Sequence, residues 1–135
     1  VVVITGKYTG ELRCEAVHGP SGSKIVTDAP ADNMGRGEMF SPTDLVATAL
    51  GTCIVTTMAI VATRRNIDFS SATFSVEKHM VADPVRRIGR LPVTIRMSTA
   101  IAPEDRIVLE RAAHTCPVHK SLHPDVDAPI SFVYE

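Results

Sequence analysis

Three cysteines, Cys14, Cys53 and Cys116, are the residues of this chain best suited to covalent chemistry. An odd number of cysteines is not the framework that staples a small secreted domain. A working pair would need two sulfurs that approach in space, and one thiol lowered from about 8.5 by a cation or a helix N-terminus, because the thiolate is the nucleophile. The other role open to them is core packing, since free cysteine is among the most buried residue types. A second group is the run His114-Thr115-Cys116-Pro117-Val118-His119-Lys120-Ser121-Leu122-His123, with three histidines around one cysteine. These are zinc-ligand types, but the spacing matches no common zinc pattern, and no metal or other cofactor is expected. G-x-G-x-x-G after a strand, a Walker loop, H-E-x-x-H and G-x-S-x-G are all absent, so nucleotide enzymes and serine hydrolases have little support.

Composition narrows the partners. Of 135 residues, 44% are hydrophobic and 21% charged, which suits an ordinary globular domain. With 14 basic and 15 acidic side chains the net charge is −1, so neither nucleic acid nor an anionic membrane has a broad electrostatic reason to bind. No Trp, two Tyr and four Phe make a stacking platform for single strands equally unsupported. The chain opens on Val1-Val2-Val3-Ile4 without an initiator Met, as a trimmed or processed end would, so a missing signal peptide carries little weight.

The elements that must position the cysteines can be read in outline. Ser41-Pro42-Thr43-Asp44 offers an N-cap, a proline for the first helical position and an acid in the first turn, and predicts a helix from about 42 to 65. Within it, Leu45 to Ala62 is 18 residues without a charge but with four Thr and a Gly, which reads as a buried soluble helix rather than a membrane span. One face reads Val46, Ala49, Leu50, Cys53, Thr57 and Ile60, and the other faces are almost as apolar, so this helix is expected to be wrapped on most sides. Ala72, Phe74 and Val76, then Leu91, Val93, Ile95 and Met97, alternate at period two and predict an antiparallel pair with a long connection through Asp83-Pro84. Pro103-Glu104-Asp105 opens a helix whose stripe Leu109, Ala112, Ala113, Cys116 turns Cys116 inward. Pro117 disfavours helix at Cys116 and suits the start of a short helix from Val118 to Leu122, placing that cysteine at a break. Ile130, Phe132 and Tyr134 predict a last strand. Strands are also expected around Val2 to Tyr8, through Leu12, Cys14 and Ala16, and at Lys24 to Thr27, the last within a loop region from Gly19 to Phe40. Cys14 is read as a strand residue. The sum is one α+β domain over residues 1–135. One sheet covers one side of an all-apolar helix, so a homodimer with that helix near the interface is expected.

The phrase from Phe40 to Cys53, FSPTDLVATALGTC, has its proline eleven residues before the cysteine, and CPVHKSL begins 63 residues further on, at Cys116. Together with Tyr8 to Arg13 and Arg86-Arg87-Ile88, these motifs resemble the OsmC/Ohr family over almost the whole chain. The resemblance implies an OsmC-like fold, an intertwined homodimer in which antiparallel sheets enclose long central helices, with two active sites between subunits. It implies a thiol-dependent peroxidase of the oxidative stress response, in which Cys53 attacks an organic hydroperoxide, becomes a sulfenic acid and condenses with Cys116 to a disulfide that a dithiol reduces. Two inward cysteines in an apolar setting favour a bulky, uncharged hydroperoxide, and the setting expected is cytoplasmic. Family peroxidases carry a Glu directly after the motif proline, holding an arginine that activates the thiolate. Here Thr43 stands there and Asp44 follows. Asp44 is nine residues from Cys53, ~13 Å along a helix, so it can act only by anchoring an arginine. Arg13 and Arg36 are the candidates for that arginine, and Glu38 is a further acid. The alternatives are an OsmC-like protein that binds a small molecule or runs another thiol reaction, and a structural dimer whose cysteines are core filler.

Overall fold

The computed structural model describes residues 1–135. The chain divides into two compact units, Val1–Val46 and Ala47–Glu135. The first holds three antiparallel strands in the order β1 (Ile4–Gly10), β2 (Arg13–His18) and β3 (Lys24–Asp28). Gly10, Glu11 and Leu12, all at positive φ, make the tight turn that reverses the chain between β1 and β2. In the second pair Arg13 faces Asp28 and Cys14 faces Thr27. Only Thr27, Asp28 and Ser41 are buried in this unit, while Tyr8, Ile25 and Phe40 are exposed. A segment of this size is too short to enclose a core of its own.

Helix α1 (Pro42–Arg64) begins at the end of the first unit. Its start follows from local chemistry. The Ser41 N–H donates to Asp44 Oδ2 at 2.9 Å and the Asp44 N–H donates to Ser41 Oγ at 3.1 Å, a reciprocal cap that satisfies two donors, with Pro42 as the first helical residue. Its end is set by Asn66 at φ 55, after which the Ile67 N–H returns to the Ala62 carbonyl at 2.9 Å. α1 is long and apolar enough to cross a membrane by length and composition alone, yet Leu50, Ile54 and Met58 lie fully buried in the core of the second unit.

Within one chain α1 is buried along one face rather than on most sides, and of the face that opens at Val46 only Leu50 is fully buried. Ala47, Leu50, Gly51, Ile54, Met58 and Ala62 are the buried positions, while Val46 is 36% and Ile60 48% exposed. The helix is apolar on every side, so composition gives no preferred direction, and close contact decides instead. At Gly51 a Cβ would stand 2.5 Å from Phe74 Cε2 and 2.8 Å from Val76 Cγ2, so α1 lies directly against β4 (Thr73–Val76).

The connection after β4 contains a separate two-stranded ribbon, β5 (His79–Val81) with β6 (Arg87–Arg90), rather than an irregular loop. β7 (Val93–Met97) then pairs antiparallel with β4, Phe74 facing Ile95, as the alternation predicts. Val93, Ile95 and Met97 all point into the core. α2 (Pro103–Ala113) buries Leu109, Ala112 and Ala113, and α3 (Pro117–Ser121) follows at once. The last strand, β8 (Ile130–Tyr134), joins β7 in parallel, giving the order β4-β7-β8. Each fully buried Leu, Ile or Met of this cluster contributes about 1.5–3 kcal/mol. α2 is fastened to β8: the Arg106 guanidinium lies 4.1 Å over the Tyr134 ring, and the Tyr134 hydroxyl donates to Glu110 at 2.7 Å. Small sheets and helices in this arrangement make a mixed α+β fold.

Candidate functional site

Within the second unit, Cys53 and Cys116 come together. Cys53 lies on α1, half-buried, and Cys116 is fully buried where α2 gives way to α3. The residue before a proline avoids helical ψ, and Cys116 is accordingly extended at φ −55, ψ 124. It becomes the N-cap of α3, its Sγ accepting the His119 N–H at 3.4 Å. Both cysteines are free thiols.

Their environments push them apart. Burial raises the Cys53 pKa, but hydrogen bonds from the Cys116 thiol and the Val118 N–H, with a smaller one from Thr57, outweigh it, and the net effect is to lower the thiol below its ordinary value. Thr57 has one hydroxyl proton, and its 2.8 Å bond to the Cys53 carbonyl claims that proton, so Cys116 and Val118 are the donors that hold the thiolate. Cys116 is raised: burial comes first, then its role as donor to Cys53; the His119 N–H opposes this, the neighbouring negative charge adds to it, and the Val118 N–H opposes it least. Within the pair the first proton therefore leaves Cys53 more easily than Cys116.

The N-terminal unit holds the remaining predicted residues. Arg13 Nη2 lies 3.5 Å from Asp28 Oδ2 and 3.3 Å from Glu38 Oε1. Arg36 Nη1 lies 3.7 Å from Glu11 Oε2 and 3.9 Å from Glu38 Oε1, an exposed pairing worth little by itself. Neither arginine is paired with Asp44, which instead closes the cap of α1. Cys14 is exposed on β2. The pairing of Asp28 with Arg13 is not visible in the sequence, because it depends on the register of β2 against β3. Sequence reasoning missed the Val118 N–H beside Cys53, a backbone group with no sequence signature.

The histidine run disperses. His119 Nε2 bonds the Ala128 carbonyl at 3.1 Å, His123 Nδ1 accepts the Asp125 N–H at 3.0 Å, and His114 meets the Phe132 ring edge-on at 6.3 Å between centroids. No group of three or more His, Cys, Asp or Glu side chains gathers as a metal would require.

The family model described as OsmC-like protein matches residues 35–130. No curated protein matches the chain. Among solved structures, a candidate osmotic stress induced and detoxification response protein from Psychrobacter arcticus is 40% identical, covering 96% of this chain and 93% of its own, with a TM-score of 0.89. An organic hydroperoxide resistance protein OsmC from Legionella pneumophila is 19% identical over 98% of this chain and 96% of its own, with a TM-score of 0.75. The organic hydroperoxide resistance protein OhrB of Bacillus subtilis is 18% identical over 98% and 97%, with a TM-score of 0.69. The last two share the fold. With the family model spanning both motifs and a relative at 40% identity over nearly the full length, the chain belongs to the OsmC-like protein family.

Proposed function

We propose that this protein is a thiol-dependent peroxidase that reduces organic hydroperoxides, with Cys53 as the attacking sulfur and Cys116 as the resolving one. The observation that carries this reading is the hydrogen-bonded pair of free thiols in which Cys53 is lowered and Cys116 raised. In the first step the Cys53 thiolate attacks the distal oxygen of R–O–O–H. The O–O bond breaks, an S–O bond forms, the sulfur loses two electrons and R–O⁻ leaves to be protonated as the alcohol. Cys116, still protonated, then attacks the sulfenic sulfur. An S–S bond forms, and its proton leaves with the hydroxyl as water. An external dithiol returns both sulfurs to thiols by two exchanges, itself ending as a disulfide.

The buried, largely aliphatic surroundings of Cys116, including Leu50, Ile54 and Leu109 in the same core, favour an apolar R group. Arg13 is the proposed activating cation, since it is the more buried of the two candidates and is held by two acids. Arg36 keeps to the exposed ion pairs. A homodimer is proposed as the working form, supported by the exposed apolar face of α1 at Val46 and Ile60 and by the exposed side chains of the first sheet. Turnover through reduced thiols suits a reducing compartment, the cytoplasm. The test is steady-state consumption of cumene hydroperoxide with a dithiol such as dihydrolipoamide. Turnover by the parent and none by Cys53→Ser is expected, and equal rates for the two would overturn the proposal.

A further inference from the structure

We infer that His119 is the residue that positions the start of α3 against the two sulfurs, an inference that rests on the peroxidase reading above. α3 has five residues, far fewer than the roughly 12–15 that make a helix even marginally stable by itself, so its place is set by what it touches. Val118 and Leu122 pack on the core of the second unit. Such burial is non-directional, and it holds α3 to the protein without fixing the aim of its first N–H groups. Those groups are the ones in use: the Val118 N–H donates to the Cys53 sulfur, and the His119 N–H donates to Cys116 Sγ at 3.4 Å. Their aim calls for a directional contact, which a hydrogen bond supplies.

The His119 side chain makes that contact. Its Nε2 lies 3.1 Å from the Ala128 carbonyl, which can only accept, so Nε2 carries the proton and donates. The carbonyl is a fixed point. On either side of it the Asp127 N–H donates to the Gly89 carbonyl at 3.0 Å, the Leu91 N–H to the Asp127 carbonyl at 2.8 Å and the Val93 N–H to the Pro129 carbonyl at 2.9 Å. The segment is thus tied to the end of β6 and the start of β7. Backbone groups of an extended chain alternate in direction, so the Ala128 carbonyl turns away from those strands and meets His119. The other two histidines of the run have different partners, the Phe132 ring for His114 and the Asp125 N–H for His123. A donor whose whole duty was to satisfy one carbonyl could come from any neighbouring group or from water. This one belongs to the residue whose own N–H holds Cys116 and whose preceding N–H holds Cys53, so a tilt of α3 that lengthened the Ala128 bond would shift both sulfur contacts.

The experiment compares His119→Leu, which fills the space without a donor, with His119→Gln, whose side-chain N–H can reach the same carbonyl. Parent and variants, as full chains, are read by thermal melts, by the pH profile of iodoacetamide alkylation at the Cys53 peptide, and by kcat/KM for cumene hydroperoxide with dihydrolipoamide. Without the anchor the Val118 N–H holds the thiolate less well. The His119→Leu profile is therefore expected to move to higher pH by about half to one unit, and kcat/KM to fall about 3- to 10-fold, the scale of one hydrogen bond. His119→Gln should stay within about twofold of the parent in kcat/KM and keep its profile. Should His119→Leu fail to fold, His119→Met, donor-free and more easily accommodated, carries the same expectation. A folded donor-free variant with the parent's alkylation profile, whatever its Tm, overturns the positioning role, and so does a His119→Gln variant displaced as far as His119→Leu. Either result leaves the peroxidase reading standing. A parent protein that consumes no hydroperoxide overturns the peroxidase reading instead, and the alkylation profiles, which need no peroxide, still decide for or against His119.

Discussion

Replacing Gly51 by Ala tests the packing that sets Cys53 in place. On helix propensity alone the change is favourable by about 1 kcal/mol, since glycine in a helix interior is the weaker former. The added methyl has nowhere to go. It would stand 2.5 and 2.6 Å from Phe74 Cε2 and Cδ2 and 2.8 Å from Val76 Cγ2, all inside any real carbon–carbon contact. Phe74 is 39% exposed and can swing toward solvent, but Val76 is β-branched, stiff and tied into β4. Overpacking a site of this kind costs about 1–3 kcal/mol, and with two side chains to displace we take the upper half of that range. The net is a loss of about 1–2 kcal/mol, or roughly 3–8 °C in Tm for a domain of this length. Thermal melts of the parent, Gly51→Ala, Phe74→Ala and the double variant supply a cycle. The double variant is expected to lose less than the sum of the singles, because the ring that clashes is gone. A Gly51→Ala variant more stable than the parent would show that α1 and β4 do not meet as described.

The remaining predictions follow from caps and titrating groups. Because Cys53 is lowered and Cys116 raised, iodoacetamide at mildly acidic to neutral pH should label Cys53 well before Cys116, and only alkaline pH should bring Cys116 in; equal labelling across the range would contradict the pairing. Ser41→Ala removes the acceptor for the Asp44 N–H and should cost about 1 kcal/mol in urea denaturation, with Ser41→Asp retaining most of it. Tyr134→Phe deletes the bond to Glu110 and should cost about 1 kcal/mol at neutral pH. Burial first, then the Glu110 bond, raises the Tyr134 pKa, so its stabilising contribution is whole below the ordinary tyrosine range and is lost as pH rises through and beyond it. The parent's margin over Tyr134→Phe should therefore shrink in alkaline melts, and a margin that grows there would refute the assignment.

Where local chemistry decides, the sequence was legible. Ser41-Pro42-Thr43-Asp44 announces the start of α1 because its cap is made from residues three apart, and Pro117 announces the break at Cys116 because its ring constrains the residue before it. Period-two alternation named the buried residues of β7 correctly. Choices between distant partners were not legible. Nothing in Ile130 to Tyr134 says that β8 runs parallel to β7, since side-chain alternation is the same for either direction. The packed face of α1 is not legible, because a helix apolar on every side carries no directional pattern, and only the missing side chain of Gly51 marks where the sheet comes close. Around the paired thiols, the two cysteines are legible by type, while the Val118 N–H depends on backbone position alone.

The central claim is that Cys53 and Cys116 form a working redox pair. It is tested most directly by adding one equivalent of cumene hydroperoxide to the reduced protein, alkylating the remaining thiols and mapping the peptides by mass. The account predicts a disulfide joining Cys53 to Cys116, with Cys14 alkylated, and in Cys116→Ser a sulfenic or more oxidised Cys53. Recovery of Cys53 and Cys116 as alkylated thiols, or a disulfide that enlists Cys14 instead, would contradict it.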